Sequence, residues 1–222
     1  MGFLSTGFKS FDTKTQGLET KSTYLIVGSK DSGKEMFVYK LVSSLLANKA
    51  DVVYVLTRKS STDLVTDINK TGFNLGQYLG ESFKVLDDFS RTISPTMVDN
   101  AFTKVLNGPV DLTGLNVAVS SVSNEFLRNG GEVVDVFDSL SQLLIYNNSP
   151  TLFRFLQFVC GKSKLSGVTS IFLLDEEMHT PEINETIRSL IDVVISLKLE
   201  NGKRYFTMSG GQKEVLDWSL LE

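Results

Sequence analysis

Eight residues, Gly28-Ser29-Lys30-Asp31-Ser32-Gly33-Lys34-Glu35, have the types and spacing to cradle phosphate. They fit the pattern G-x-x-x-x-G-K and depart from a complete phosphate loop only at the last position, where Ser or Thr belongs. In such a loop, successive backbone N–H groups and the N-terminus of the following helix converge on phosphate oxygens, and the lysine adds a mobile positive charge. The missing hydroxyl is the group that would reach Mg²⁺. Glu35 stands in its place, and Asp31 puts a second negative charge into the loop. Like charges ~4 Å apart at an effective dielectric of ~20 repel by about 4 kcal/mol, which Lys30 and Lys34 offset in part. The plainer alternative is a tight strand-to-helix turn that holds no ligand.

The flanking elements fit the phosphate reading. The run Thr23-Tyr24-Leu25-Ile26-Val27 has strand composition and stops at Gly28, while Phe37, Val38, Leu41, Val42, Leu45 and Leu46 recur at helical spacing. Strand-type runs then alternate with helical stretches along the chain. Strands are predicted over Val52–Leu56, Phe83–Leu86, Val133–Phe137 and Val168–Leu174. Helices are predicted over Leu115–Arg128, Pro150–Lys164 and Pro181–Leu190, and a closing hairpin, Val193–Leu199 with Arg204–Met208, turns at Asn201-Gly202. Ser60-Ser61-Thr62-Asp63 is suited to capping a helix. This alternation is the pattern of an α/β protein with a mostly parallel sheet. No linker, repeat or low-complexity segment divides the chain, so residues 1–222 are expected to form one domain.

Composition narrows the function classes. Hydrophobic residues make up 41% and charged residues 22%, with a net charge of −4, which argues against broad electrostatic binding to nucleic acid. No apolar run reaches the ~18–20 residues of a membrane span. The N-terminal stretch has no signal-type apolar region and Cys160 is the sole cysteine, so the expected compartment is cytoplasmic. Lys162 with Lys164 and Lys203 with Arg204 read as solvated faces. Asp175-Glu176-Glu177-Met178-His179 reads as a solvated strand-end loop rather than a metal site, although Asp175 falls where parallel sheets face a ligand crevice. Leu152, Phe153, Phe155, Leu156, Phe158 and Val159 make a rich apolar helix, either core or an oligomer contact. Asp135 lies inside a strand of buried type, which requires either an edge strand or a partner.

Several segments together resemble the KaiC-like ATPases of the RecA superfamily, of archaeal type. Thr6-Gly7-Phe8-Lys9-Ser10-Phe11-Asp12 with Gly17-Leu18 resembles the stretch that leads into that family's first strand, and Gly28 to Lys34 its phosphate loop. Val136-Phe137-Asp138-Ser139-Leu140 resembles its Walker B strand, and Thr186–Ile195 with Asp192 its C-terminal helix and strand. The resemblance runs from about residue 5 to residue 208. It implies a RecA-like P-loop NTPase core with helices on both faces of a mostly parallel sheet. It also implies ATP or ADP with Mg²⁺ as cofactor, held by residues 28–35, with Asp138 orienting the metal through water.

The catalytic positions depart from the family. Where it places a pair of glutamates after the second strand, this chain reads Thr57-Arg58-Lys59-Ser60, so no base is available. Where it supplies a Lys and an Arg to a neighbouring subunit, this chain reads Ser209-Gly210-Gly211-Gln212. The expectation is a pseudo-ATPase, a regulatory or scaffolding subunit acting on a protein partner or on copies of itself and binding nucleotide weakly or not at all. Two alternatives stay open. One is a slow atypical ATPase with Glu35 in the Mg²⁺ shell and Asp87 or Asp175 as base; the other is a recombination-mediator-like DNA-binding module.

Overall fold

The computed structural model describes residues 2–222. A short ribbon of β1 (Phe3–Leu4) and β2 (Leu18–Glu19) flanks α1 (Lys9–Thr15). The main sheet then begins with β3 (Thr23–Gly28), followed by α2 (Lys34–Ala47), β4 (Asp51–Leu56), α3 (Ser61–Asn69) and β5 (Phe83–Asp87). Next come α4 (Ser90–Ile93), β6 (Thr103–Val105), α5 (Leu112–Arg128), β7 (Val133–Asp138), α6 (Leu140–Tyr146) and α7 (Ser149–Ser166). The chain closes with β8 (Thr169–Asp175), α8 (Pro181–Ser189), β9 (Val193–Glu200), β10 (Lys203–Ser209) and β11 (Val215–Leu220).

Among the described residues the main sheet has nine strands in the order β11-β10-β9-β3-β8-β7-β4-β5-β6. From β9 to β6 every neighbouring pair is parallel; β10 and β11 extend one edge in antiparallel fashion. The chain first steps outward from β3 to β4, β5 and β6, then returns through β7, β8 and β9. Crossovers of one hand that travel in opposite directions must lie on opposite faces. Accordingly α2 and α3 cover one face, with Phe37, Leu41, Leu45, Leu64 and Ile68 against Ile26, Tyr54 and Val136. On the other face α5 and α7 set Leu115, Phe126, Leu152 and Leu156 against Leu25, Val55 and Phe137. Strands covered on both sides must be apolar at nearly every position, and β3 and β7 are buried throughout.

Local signals explain the element ends. Ser60 caps α3, its Oγ accepting from Asp63 N at 3.2 Å. The helix expected from Leu115 starts three residues earlier because Asp111 caps it, accepting from Gly114 N at 2.8 Å. Asn201 and Gly202 both take positive φ, as a two-residue hairpin turn of this hand requires. In α7, Leu152, Phe155, Leu156 and Val159 are core, and Cys160 is a buried free thiol, while Phe158 remains exposed. β7 is no edge strand, since it lies between β8 and β4; Asp135 has a partner, accepting from Ser123 Oγ at 2.7 Å. Among the described residues no helix is long and apolar enough to cross a membrane.

Candidate functional site at the strand ends

Parallel registration puts Gly28 beside Asp175 and Leu56 beside Asp138, so four strands end together along one edge of the sheet. That edge is where open α/β sheets bind ligands. Gly28 must lack a side chain: a Cβ would sit 2.5 Å from Ser32 Oγ and 2.6 Å from the Leu197 carbonyl oxygen. The chain then makes one turn of 3₁₀ helix at Lys30–Ser32, and Gly33, with φ +83°, redirects it into α2. The Arg204 side chain, from β10, packs where a Cβ on Gly33 would be.

The loop closes on itself. The Ser29 carbonyl accepts from Ser32 N (3.1 Å), Ser32 Oγ (2.7 Å) and Lys34 Nζ (3.0 Å). Lys34 Nζ also pairs with Asp175 Oδ1 at 2.5 Å, and its side chain is only 2% exposed. A lysine this buried needs a counter-charge, and Asp175 provides it. The loop after β8 was expected to be solvated. Instead its first residue is anchored, Asp175 N donating to Ser141 Oγ at 2.8 Å as its carboxylate holds the lysine. Lys30 and Asp31 face solvent.

Beside the loop lies a second set of charges. Asp138 ends β7 and is fully buried. Arg58 follows β4 and bridges two carboxylates: its Nε donates to Asp138 Oδ1 at 2.8 Å and its Nη2 to Glu35 Oε1 at 2.7 Å. Tyr54 OH donates to the other Asp138 oxygen at 3.1 Å. Thr57 fixes the base of this arrangement, its Oγ1 accepting from Ser139 N (2.7 Å) and donating to the Asp138 carbonyl (2.9 Å). Burial works against the Arg58 charge, but attraction to Asp138 and then Glu35 outweighs it and raises its pKa above the ordinary arginine value. Burial, with Asp138 close by, likewise pushes the Tyr54 phenol well up, so it stays a donor.

A nucleotide acted on in such a crevice would need Mg²⁺, and the carboxylates of Glu35 and Asp138 do not fit the ion. Mg²⁺ demands near-octahedral oxygen ligands at ~2.1 Å. Here both Asp138 oxygens and Glu35 Oε1 already accept hydrogen bonds, and a guanidinium stands between the two carboxylates. Among the described residues no group of three or more His, Cys, Asp or Glu side chains is arranged to hold a metal ion. The adjoining cavity, about 420 Å³, has Lys30, Glu35, Arg58, Asp175 and Glu177 on its walls.

The fold thus gathers Gly28, Ser29, Lys30, Asp31, Ser32, Gly33, Lys34, Glu35 and Asp138 at one edge of the sheet. Arg58 and Asp175 join them as ion-pair partners. Arg58 had a sequence signal, a cation where a carboxylate was expected, paired in charge with an anion where a hydroxyl was expected. Asp87 is committed elsewhere, its carboxylate accepting from Phe89 N, Ser90 N and Ser90 Oγ at the start of α4. The Ser209–Gln212 stretch lies just past β10 and is tied down locally, Gly210 N to Glu214 and Gln212 N to Glu19.

Compared with known proteins, residues 22–197 match a family described as a family of unknown function (DUF7504). No curated protein matches the chain.

Proposed function

The chain belongs to the DUF7504 family, a family of unknown function, and from the ion pairs at its strand ends we propose that it is a catalytically degenerate RecA/KaiC-like protein. In this reading it is a regulatory or scaffolding subunit that acts through a protein partner or a second copy of itself. ATP and ADP bind weakly or not at all.

One observation carries the reading: Arg58 bridges Glu35 and Asp138. At these positions an ATPase of this kind needs a hydroxyl, a free carboxylate base and an aspartate available to the metal shell. The chain has instead a closed set of charges that satisfy one another. The Lys34–Asp175 pair supports the same reading, because a phosphate could recruit Lys34 only by displacing a buried counter-ion. The acidic composition argues against nucleic acid as the partner.

The test is phosphate release from ATP with Mg²⁺, on the native protein and on Lys34→Ala. Both are expected at background. Robust turnover that disappears in Lys34→Ala would overturn the reading. Calorimetric titration with ATP and ADP separates its two forms: micromolar binding lost in Lys34→Ala marks a nucleotide-gated regulator, and no binding at millimolar nucleotide marks a scaffold.

A further inference from the structure

The two departures from the ATPase pattern that look most damaging, Glu35 in the phosphate loop and Arg58 after β4, touch each other. Each alone is a defect. A glutamate in place of the hydroxyl sets a carboxylate against phosphate, and an arginine in place of the base sets a cation against Mg²⁺. Together they neutralise, and Asp138 is drawn into the same contact.

We propose that the Arg58 guanidinium is the resident cation of this crevice: it fills the place between Glu35 and Asp138 that a divalent ion would need, so that divalent ions are excluded and a phosphate group enters only as the metal-free anion. The second half rests on reading the crevice as a degenerate nucleotide site; the first half does not.

Three features support it. The guanidinium reaches both carboxylates at once, Nε to Asp138 Oδ1 at 2.8 Å and Nη2 to Glu35 Oε1 at 2.7 Å and to Asp138 Oδ2 at 3.5 Å, which places its delocalised charge between them as an ion would be placed. The residue before it is pinned, because Ser139 N donates to Thr57 Oγ1 at 2.7 Å and Thr57 N donates to the Asp138 carbonyl at 3.0 Å. The side chain is also partly open, 29% exposed and on the wall of the 420 Å³ cavity that a ligand would enter. Arginine is suited to this role because its planar donors match carboxylate on one side and phosphate on the other, and it stays charged at every working pH.

The test needs no nucleotide. Binding of Mn²⁺ to the full-length protein is followed by electron paramagnetic resonance, for the native chain, Arg58→Gln and Arg58→Gln/Glu35→Gln. The native protein is expected to bind no Mn²⁺ below about 1 mM. Arg58→Gln frees both carboxylates and is expected to bind at least tenfold more tightly, and adding Glu35→Gln should return it to the native level. Submillimolar Mn²⁺ binding by the native protein would overturn the proposal, as would a folded Arg58→Gln that binds no better than native. A second measurement stays on the native chain, so it does not depend on the variant folding: ADP affinity in EDTA against ADP affinity with Mg²⁺. Mg²⁺ is expected to leave it unchanged or weaken it, and a tenfold tightening by Mg²⁺ overturns the resident-cation assignment. The two readings fail apart. Lys34-dependent ATP turnover in EDTA would sink the pseudo-ATPase reading and leave Arg58 as the cation; turnover that requires Mg²⁺ would sink both.

Discussion

Strand β7 carries two buried aspartates three residues apart, and the chain treats them in opposite ways. Asp138, at the end of the strand, keeps company with a guanidinium and a phenol. Asp135, mid-strand and on the other face, meets one serine hydroxyl under α5. Burial pushes the Asp135 carboxyl up to about 7 against the Ser123 hydrogen bond, which lowers it. A buried charge is tolerated by pairing it or by protonating it. Pairing is confined to the strand end, where the crevice brings four strand tips together. Mid-strand, between a helix and two neighbouring strands, Asp135 has no ion-pair partner among the described residues.

The contrast is most sharply broken by removing the arginine. Arg58→Met strands Asp138 in the interior and is expected to cost about 3–5 kcal/mol, the range for an orphaned buried ion, read from the urea midpoint. Adding Asp138→Asn should recover most of that loss; a double variant as unstable as the single one would show that packing, not charge, is at stake. Next in size is Asp175→Asn. It leaves the buried Lys34 with neutral acceptors and no counter-charge and should cost about 2–3 kcal/mol, less than the first because Asp175 is itself 20% exposed.

Asp135 predicts the opposite sign. Its folded-state pKa is raised, so the stability it allows is fully present below the unfolded value near 3.8 and is lost as pH rises through about 7. Asp88, also pushed up to about 7 by burial and by the nearby Asp111 and Asp87, acts in the same window. The native protein should therefore lose stability between about pH 4 and pH 7 and level off above that. Asp135→Asn should stabilise it by about 2–3 kcal/mol more at pH 8 than at pH 5, with the gain vanishing only near pH 3.8. Equal effects at both pH values would mean that Asp135 is ionised in the fold. The smallest effect is expected from Glu35→Gln, under about 1 kcal/mol, because Glu35 is 36% exposed and solvent screens its pairing with Arg58.

What could be read from the sequence was whatever a short window specifies. The β3 run, its terminal Gly28 and the periodic face of α2 placed the loop; Ser60 and Asn201-Gly202 marked a cap and a turn. The short edge strand Thr103–Val105 left no pattern to detect, and Val215–Leu220 alternates too weakly with polar residues to stand out. The deeper misses were partners. Arg58 meets Asp138 across 80 positions, and Lys34 meets Asp175 only because β3 and β8 lie side by side in register. Both contacts are set by strand order, which periodicity does not encode. Asp135 looked anomalous because its answer, a serine on α5 and a proton, is likewise remote from its own neighbourhood.

The Lys34–Asp175 pair also has a consequence in time. The lysine is made about 140 residues before its counter-ion, and at roughly 5–20 residues per second the ribosome separates them by about ten to thirty seconds. Throughout that interval the loop can fold locally, yet its Lys34 ammonium lacks the Asp175 carboxylate it enters the core with. Burial of Lys34 is therefore a late event, and the nascent chain carries open a loop that the finished protein has shut.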